Sequence, residues 1–285
     1  MCSMQIGTLI LCFFLYTPIL FSDSLVKNLR MINTATPHAI NEVEHPYLQA
    51  ESIESPSGAF HLTLYHKEPN QIVDEEDWFD QHGFDYPEAI ALLHSNIPPS
   101  TEFGALKFLR QHGKQYFAVY ETVFMLNNAK DIYNEGHRYT LVVFHAEIDS
   151  FVAFNLDQLF PDILEMCWFE AVGGLVYFNA AYNGYADIRD NKTGYLYCLD
   201  TQKREIIWAT NSLTSSYRGF TVYKDHIVTG YGFTAEPDFL YVVDRFSGVT
   251  KQTIPIKTAH EHIIMNNEKC YVRTYNMNYV YTMEE

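Results

Sequence analysis

The chain has 285 residues and a formal net charge of −16, with 21 tyrosines and 20 phenylalanines against only 19 lysines and arginines. With so few cations and no basic cluster, neither nucleic acid nor an anionic membrane surface is expected as a partner, because both are bound by neutralising phosphates. Aromatic side chains suit half-buried strands, so the composition predicts a β-rich protein. The composition and charge remain compatible with a basic protein, a cation or a neutral glycan as the partner.

An apolar run from Ile6 to Phe21 opens the chain, and the small residues Ser22 and Ser24 follow it. The run is short for a membrane span and typical of the central region of a secretory signal, although no lysine or arginine precedes it. We therefore predict a signal peptide over residues 1–24, with no stable membrane insertion after cleavage. The mature protein would be secreted or periplasmic; an uncleaved anchor and a buried segment are the alternatives.

The segment 25–100 contains no repeat. Residues 59–65 predict a strand, and the range Pro87 to His94 predicts a short helix. Between them, Asp74 to Asp77 and Asp80 form the densest acidic run of the chain. We predict a solvated loop there, with a calcium site as the alternative because hard cations prefer carboxylate oxygens.

From residue 101 to 285 a unit recurs that opens with two short apolar runs joined by a polar turn. The four turns are His112 to Lys114, Gly173 to Gly174, Lys224 to Asp225, and Asn267 to Glu268. A second hairpin follows in each unit, and the step from Asp200 to Asp244 is 44 residues, the length of a propeller blade. The predicted fold is therefore all-β, a β-propeller with about four four-stranded blades, five blades or an incomplete ring being the alternatives.

A propeller closes its ring when a strand from one end of the chain completes the last blade, which protects the sheet edge. The predicted strand over residues 59–65 is the candidate for this closing strand.

The run GYLYCLD from Gly194 to Asp200, followed by Trp208, resembles the repeat of quinoprotein-type (PQQ-like) β-propellers, G-x-L-Y-A-L-D-x-x-T-G-x-x-x-W. The next unit keeps Asp244 but has Gln252 where the tryptophan is expected. The aspartates are predicted to cap the turns that follow them, and Trp208 to pack against the next blade. No cofactor is expected, because quinoprotein dehydrogenases carry adjacent cysteines near the cofactor and this chain has none.

Long connections alternate with short turns in each unit. The connections between second and third strands (127–138, 181–193 and 231–238) and those between units (155–167 and 210–218) are the long ones, and in a propeller both kinds emerge on one face. We call it the loop face, and long loops on a rigid scaffold usually carry binding. Its predicted ligand-binding residues are Tyr133, Tyr182, Asn183, Tyr185, Asp187, Arg189, Tyr217, Arg218 and Tyr231. Tyrosine and arginine are common interface residues, and tyrosine with asparagine and aspartate suits sugar recognition, so a protein or glycan partner is predicted.

Two other functions are alternatives. A hydrolase or lyase would use the central channel, with His260, His262, Glu170 and Asp187 as acid and base groups. An incomplete propeller would instead pair with another chain. No nucleophile motif, phosphate loop or metal-ligand spacing supports catalysis. The cysteines at 167, 198 and 270 are predicted as buried thiols, with one disulfide as the alternative.

Overall fold

The computed structural model describes residues 30–33, 60–72, 74–85, 97–126, 135–145, 148–160 and 164–284. The predicted signal peptide, the predicted helix from Pro87 to His94, and Tyr133 lie outside the described residues. None of the described helices is long and apolar enough to span a bilayer.

The strands, in chain order, are β1 (Arg30–Asn33), β2 (His61–Pro69), β3 (Ser100–Thr101), β4 (Gly104–His112), β5 (Gln115–Met125), β6 (Glu135–His145), β7 (Ile148–Asn155), β8 (Glu165–Val172), β9 (Leu175–Ala181), β10 (Tyr195–Asp200), β11 (Glu205–Ala209), β12 (Thr221–Tyr223), β13 (His226–Tyr231), β14 (Asp238–Asp244), β15 (Thr250–Ile256), β16 (His260–Asn266), β17 (Lys269–Thr274) and β18 (Met277–Glu284). Within the described residues the helices are α1 (Glu75–His82) and two 3₁₀ helices, Asp157–Leu159 and Ala186–Arg189.

These strands form four sheets, and each sheet is one propeller blade. Blade 1 contains β4 to β7, with β3 added beside β4 and β1 added in parallel beside β7. Blade 2 contains β8 to β11, blade 3 contains β12 to β15, and blade 4 contains β16 to β18 followed by β2. The fold is therefore the all-β propeller that the sequence predicts, with four blades in the described part of the chain.

Neighbouring blades pack face to face, 1 with 2, 2 with 3 and 3 with 4, so blades 2 and 3 are apolar on both sides. In β10, Tyr197 and Leu199 pack with blade 1, whereas Leu196 and Cys198 pack with blade 3. Successive side chains of a strand point to opposite sides, so β10 contributes to the cores on both sides of blade 2. The thiols of Cys167, Cys198 and Cys270 are free, so the disulfide alternative is wrong for these three.

Strand β2 supplies the fourth strand of blade 4. It pairs antiparallel with β18 from His61 opposite Glu284 to Pro69 opposite Met277. The predicted strand over residues 59–65 overlaps β2 from His61 onward. An N-terminal strand thus completes the last blade of the sequence, which is how propellers join their two ends.

The two aspartates of the repeat cap turns, as predicted. Asp200 Oδ1 accepts a hydrogen bond of 2.9 Å from the N–H of Lys203, and Asp244 Oδ1 accepts one of 2.9 Å from the N–H of Ser247. Each carboxylate therefore organises the turn between the third and fourth strands of its blade.

Two local predictions were wrong. The acidic run is not a loop, because it begins α1: Asp74 is the N-cap, and its carboxylate accepts a 2.8 Å hydrogen bond from the N–H of Glu76. Carboxylates in a first helical turn are stabilised by the helix dipole, so the acidic run favours this helix. In blade 1 the predicted connection over 127–138 is shorter, because β6 already begins at Glu135.

Candidate functional site

The loop face holds a cavity of about 440 Å³, which we call the rim cavity. Five of the predicted ligand-binding residues line it: Tyr182, Asn183, Tyr217, Arg218 and Tyr231. They come from the β9–β10 connection, the blade 2 to blade 3 connection and the end of β13. The topology thus brings together residues that are distant in sequence.

Burial divides these five residues into two groups. Tyr182 and Tyr231 are 6% and 3% exposed, and they belong to the packed cores between blades. The hydroxyl of Tyr231 also donates to Glu236 at 2.7 Å. Both tyrosines therefore form the wall of the rim cavity. Tyr217, at 37% exposed, and the exposed Arg218 offer their side chains to a ligand.

Three predicted residues lie beside the rim cavity rather than in its lining. Tyr185, Asp187 and Arg189 belong to the 3₁₀ helix of the β9–β10 connection or precede it directly. Tyr185 packs edge-on against Phe233, with ring centroids 5.1 Å apart, and Asp187 is exposed. Arg189 stacks its guanidinium over the Tyr182 ring at 5.9 Å. These residues extend the loop face outward from the cavity.

The loop that carries Tyr217 and Arg218 is fixed by buried hydrogen bonds. Ser215 is fully buried, and its hydroxyl accepts from Thr229 at 2.8 Å. Its N–H donates to the carbonyl of Gly194 at 2.9 Å, and the N–H of Ser216 donates to the carbonyl of Gly230 at 2.8 Å. Gly194 has a φ of 73°, and a Cβ there would lie 2.8 Å from the Tyr231 ring, so this close approach favours glycine.

Asn179, on β9, connects this loop to blade 2. It is fully buried, and its Nδ2 donates to the carbonyls of Ser216 and Arg218 at 2.8 and 2.9 Å. Its Oδ1 accepts from the N–H groups of Cys167 and Trp168 at 3.2 and 2.6 Å. Sequence reasoning missed Asn179, although an amide inside an otherwise apolar strand signals a buried polar contact.

His260 holds the same loop from blade 4. It is 1% exposed, and its Nε2 lies 2.8 Å from the carbonyl of Gly219, so Nε2 carries the proton and donates it. Burial lowers the pKa of His260 to about 4, so the ring is neutral at pH 7. A Cβ on Gly230 would lie 2.6 Å from His260 Nδ1, so glycine makes room for this ring. His260 is thus a positioning residue for the loop.

A second cavity, of about 510 Å³, lies beside the first and shares Tyr217, Arg218 and Glu261 with it. We call it the central cavity, because the inner strands β8 and β16, the segment from Tyr217 to Phe220 that leads into β12, and helix α1 line it. His262 faces it and pairs with Glu75 of α1 at 3.0 Å. Tyr217 and Arg218 therefore occupy the junction of the two cavities.

Some of the charged side chains around the junction of the two cavities have an ion-pair partner and others do not. Glu261 pairs with the buried Arg273 at 2.9 Å. The guanidinium of Arg218 has no ion-pair partner among the described residues. Asp238, in the rim cavity, also lacks a cation within that part of the chain, and burial raises its pKa to about 6. Burial and the neighbouring Glu165 raise the pKa of Tyr217 to about 12, so its hydroxyl keeps its proton at neutral pH.

The four acid and base candidates of the catalytic alternative do not meet. Glu170 is bound by Arg110 at 3.3 Å and by Trp168 Nε1 at 3.0 Å. Asp187 is on the outer loop face, and His260 is committed to a backbone carbonyl. Of the four, only His262 lines the central cavity, and only His260 lines the rim cavity.

A different polar cluster lies in blade 1, on the side that contacts β8 of blade 2. Oε1 of Glu121 is 2.7 Å from Lys107, 2.9 Å from His137 and 2.9 Å from the Tyr139 hydroxyl. These contacts lower the pKa of Glu121 to about 2 against the opposing effect of burial. Among the described residues, no group of three or more histidines, cysteines, aspartates and glutamates could hold a metal ion.

No protein-family model and no curated protein matches the chain. Solved structures do match it. A computationally designed protein, Ika4, aligns with 70% of this chain and 99% of its own at 10% identity and a TM-score of 0.41. The β-propeller domain of the Trilobed protease from Pyrococcus furiosus aligns with 64% of this chain and 57% of its own, at 12% identity and a TM-score of 0.42. A Synechocystis apocarotenoid oxygenase aligns with 59% of this chain and 44% of its own, at 8% identity and a TM-score of 0.34.

Proposed function

We propose that the chain is an exported binding module that recognises a protein or glycan through the loop face, with Tyr217 and Arg218 as its central contacts. The observation that carries this proposal is their position: two exposed side chains at the junction of two cavities, on a loop whose backbone is fixed by buried hydrogen bonds. The apolar run over residues 6–21 supports export.

A fixed loop is an advantage for binding. Ordering a flexible side chain or loop costs about 0.5–1.5 kcal/mol per side chain, and a preorganised site has already met part of that cost in folding. Tyrosine and arginine are also the residue types that most often dominate binding energy. The divergent quinoprotein-type repeat would then serve as the rigid scaffold for these loops.

The test is a binding screen with matched variants. Purified protein is applied to a glycan array and to the extracellular protein fraction of the source, as wild type and as the double variant Tyr217→Ala with Arg218→Ala. The control is Phe246→Ala, which removes an exposed aromatic ring from the turn between β14 and β15. We expect a ligand that is retained by wild type and control and lost by the double variant, with all three equally folded by circular dichroism. A ligand that the double variant retains would contradict this site.

Export is tested separately. N-terminal sequencing of the protein recovered from the medium or the periplasm should begin near Leu25. Recovery only from the cytosol, with Met1 or Cys2 still present, would contradict the export part of the proposal.

A further inference from the structure

The charged groups that line the rim cavity are compensated except at two positions. Glu261 pairs with Arg273 at 2.9 Å, and His260 is neutral at pH 7 because it is buried. Arg218 and Asp238 have no ion-pair partner among the described residues. A ligand that fits this cavity is therefore expected to present an anionic group to one of them and hydrogen-bond donors to the other.

Arg218 is well placed to hold the anionic group. Its backbone carbonyl accepts from Asn179 at 2.9 Å, and the next carbonyl, of Gly219, accepts from His260 at 2.8 Å. The backbone that carries the guanidinium is therefore fixed on both sides. A guanidinium is planar and binds a carboxylate through two parallel hydrogen bonds, which gives both strength and orientation.

Asp238 supplies the complementary group. Its carboxylate accepts a hydrogen bond from the backbone N–H of Ala259, and burial opposes its ionisation. Ligand hydroxyls that donate to it would replace the water that burial removes. The cavity is bounded by loops and by the ends of strands, whereas an extended peptide is usually recognised along a strand edge or a groove. The exposed rings of Tyr217 and Tyr275, 37% and 79% exposed, border the same cavity and offer faces for stacking on a sugar ring.

We propose that the rim cavity binds an acidic saccharide, with its carboxylate on Arg218 and its hydroxyls donating to Asp238. The volume of about 440 Å³ lies within the usual range of small-ligand sites and suits a short oligosaccharide. This inference rests on the proposed function, because it names the ligand class of the same site and makes Arg218 the residue that determines specificity.

The experiment is calorimetric titration with uronic-acid trisaccharides of different stereochemistry, each beside its carboxyl-reduced, neutral counterpart. Wild type, Arg218→Gln, Asp238→Asn and the control Phe246→Ala are compared. Since a hydrogen bond between charged groups is stronger than one to a neutral group, wild type should bind at least one acidic trisaccharide about tenfold or more tightly than its reduced counterpart. Arg218→Gln should abolish this preference, whereas Asp238→Asn should weaken both forms by the same factor. Phe246→Ala should change neither.

Other outcomes overturn the inference in distinguishable ways. Equal binding of acidic and reduced forms, or a preference that survives Arg218→Gln, rejects the carboxylate contact and leaves the proposed function standing. Binding of a peptide through its C-terminal carboxylate, with no binding of any trisaccharide, rejects the saccharide and keeps a binding role for the loop face. If neither is bound and the binding screen also finds no ligand, both proposals fail.

Discussion

The junction of blades 2 and 3 and the junction of blades 3 and 4 use the same repeat position in different ways. At the first, Trp208 packs in the core and its Nε1 donates to the carbonyl of Arg245 at 3.0 Å. At the second, the equivalent Gln252 bonds the main chain of Leu62 twice, accepting from its N–H at 2.8 Å and donating to its carbonyl at 2.9 Å.

The difference follows from what lies opposite each side chain. Trp208 faces a turn of the next blade, whose backbone belongs to the repeat itself. Gln252 faces β2, which enters blade 4 from the N-terminal segment and brings an N–H and a carbonyl that need partners. An amide side chain can satisfy both groups, whereas an indole can only donate. The repeat position therefore carries a different side chain where the neighbouring blade is completed by the N-terminal strand β2.

The largest effect is expected from a substitution that disrupts the junction of blades 2 and 3. Trp208→Ala removes a buried indole and its hydrogen bond, and we expect a loss of about 3–5 kcal/mol in the free energy of unfolding. Chemical denaturation measures this loss. Trp208→Phe keeps most of the packing and should lose less; an equal loss from both variants would mean that packing is not what stabilises this junction.

The next effect concerns His260, which sits at the second junction. A buried histidine whose pKa is lowered to about 4 stays neutral in the folded state while the unfolded chain takes up a proton from about pH 6.5 downward. The free energy of unfolding is therefore unaffected by this group above pH 6.5. It falls by about 3 kcal/mol in all as the pH decreases from 6.5 to 4.

Unfolding free energies of wild type and His260→Gln, measured between pH 7 and 4, check this prediction. The variant should lack this acid-induced loss. Asp238, whose pKa is raised to about 6, acts in the opposite direction between pH 3.8 and 6, because ionisation costs stability there. The variant Asp238→Asn is therefore measured in parallel. A pH profile of His260→Gln identical to that of wild type would refute the assignment.

A smaller effect is expected when the amide clamp is removed. Gln252→Leu leaves the N–H and carbonyl of Leu62 without this partner and should cost about 2 kcal/mol. Hydrogen exchange should show faster exchange at the Leu62 amide, while amides of blade 2 keep their protection. Gln202→Leu, in an exposed turn, is the matched control. Unchanged exchange at Leu62 would show that the clamp does not hold β2.

The smallest effect on stability is expected at the candidate site, because its exposed side chains are not part of the packed scaffold. Tyr217→Ala removes an exposed ring from a loop that is fixed through its backbone, so stability should change by no more than about 0.5 kcal/mol. Thermal unfolding measures this directly. A large loss would place Tyr217 among the structural residues of the junction rather than at its surface.

Much of the scaffold could be predicted because the same pattern of short apolar strands and polar turns recurs in each blade. The step from Asp200 to Asp244 identifies the blade, and the alternation along β10 identifies its two packed faces. Loop lengths alone predict the loop face, since strand order determines where connections emerge.

The site could be predicted only in part. Sequence does not distinguish an exposed tyrosine from a buried one, so it predicts Tyr182 and Tyr231 in the same way as Tyr217, although the first two are buried in the cavity wall and Tyr217 is exposed. Glu261 is paired with Arg273, whereas Arg218 has no ion-pair partner in the part of the chain that the structure describes. This difference depends on pairing between strands and connections that are distant in sequence. No local sequence pattern predicts ion pairs between residues that are so distant in the chain.

The closing strand also has a kinetic consequence. The hydrogen bond between Leu62 and Gln252 spans 190 residues of sequence, and the one between Thr282 and Thr63 spans 219. Contacts of this separation are slow to form, because the entropy of closing so long a loop must be met before they contribute. During synthesis β2 emerges from the ribosome before the other strands of blade 4 and before all of blades 2 and 3, but it finds its partner strand last. Blade 4 is therefore expected to fold after the other three, and its completion to set the overall folding rate.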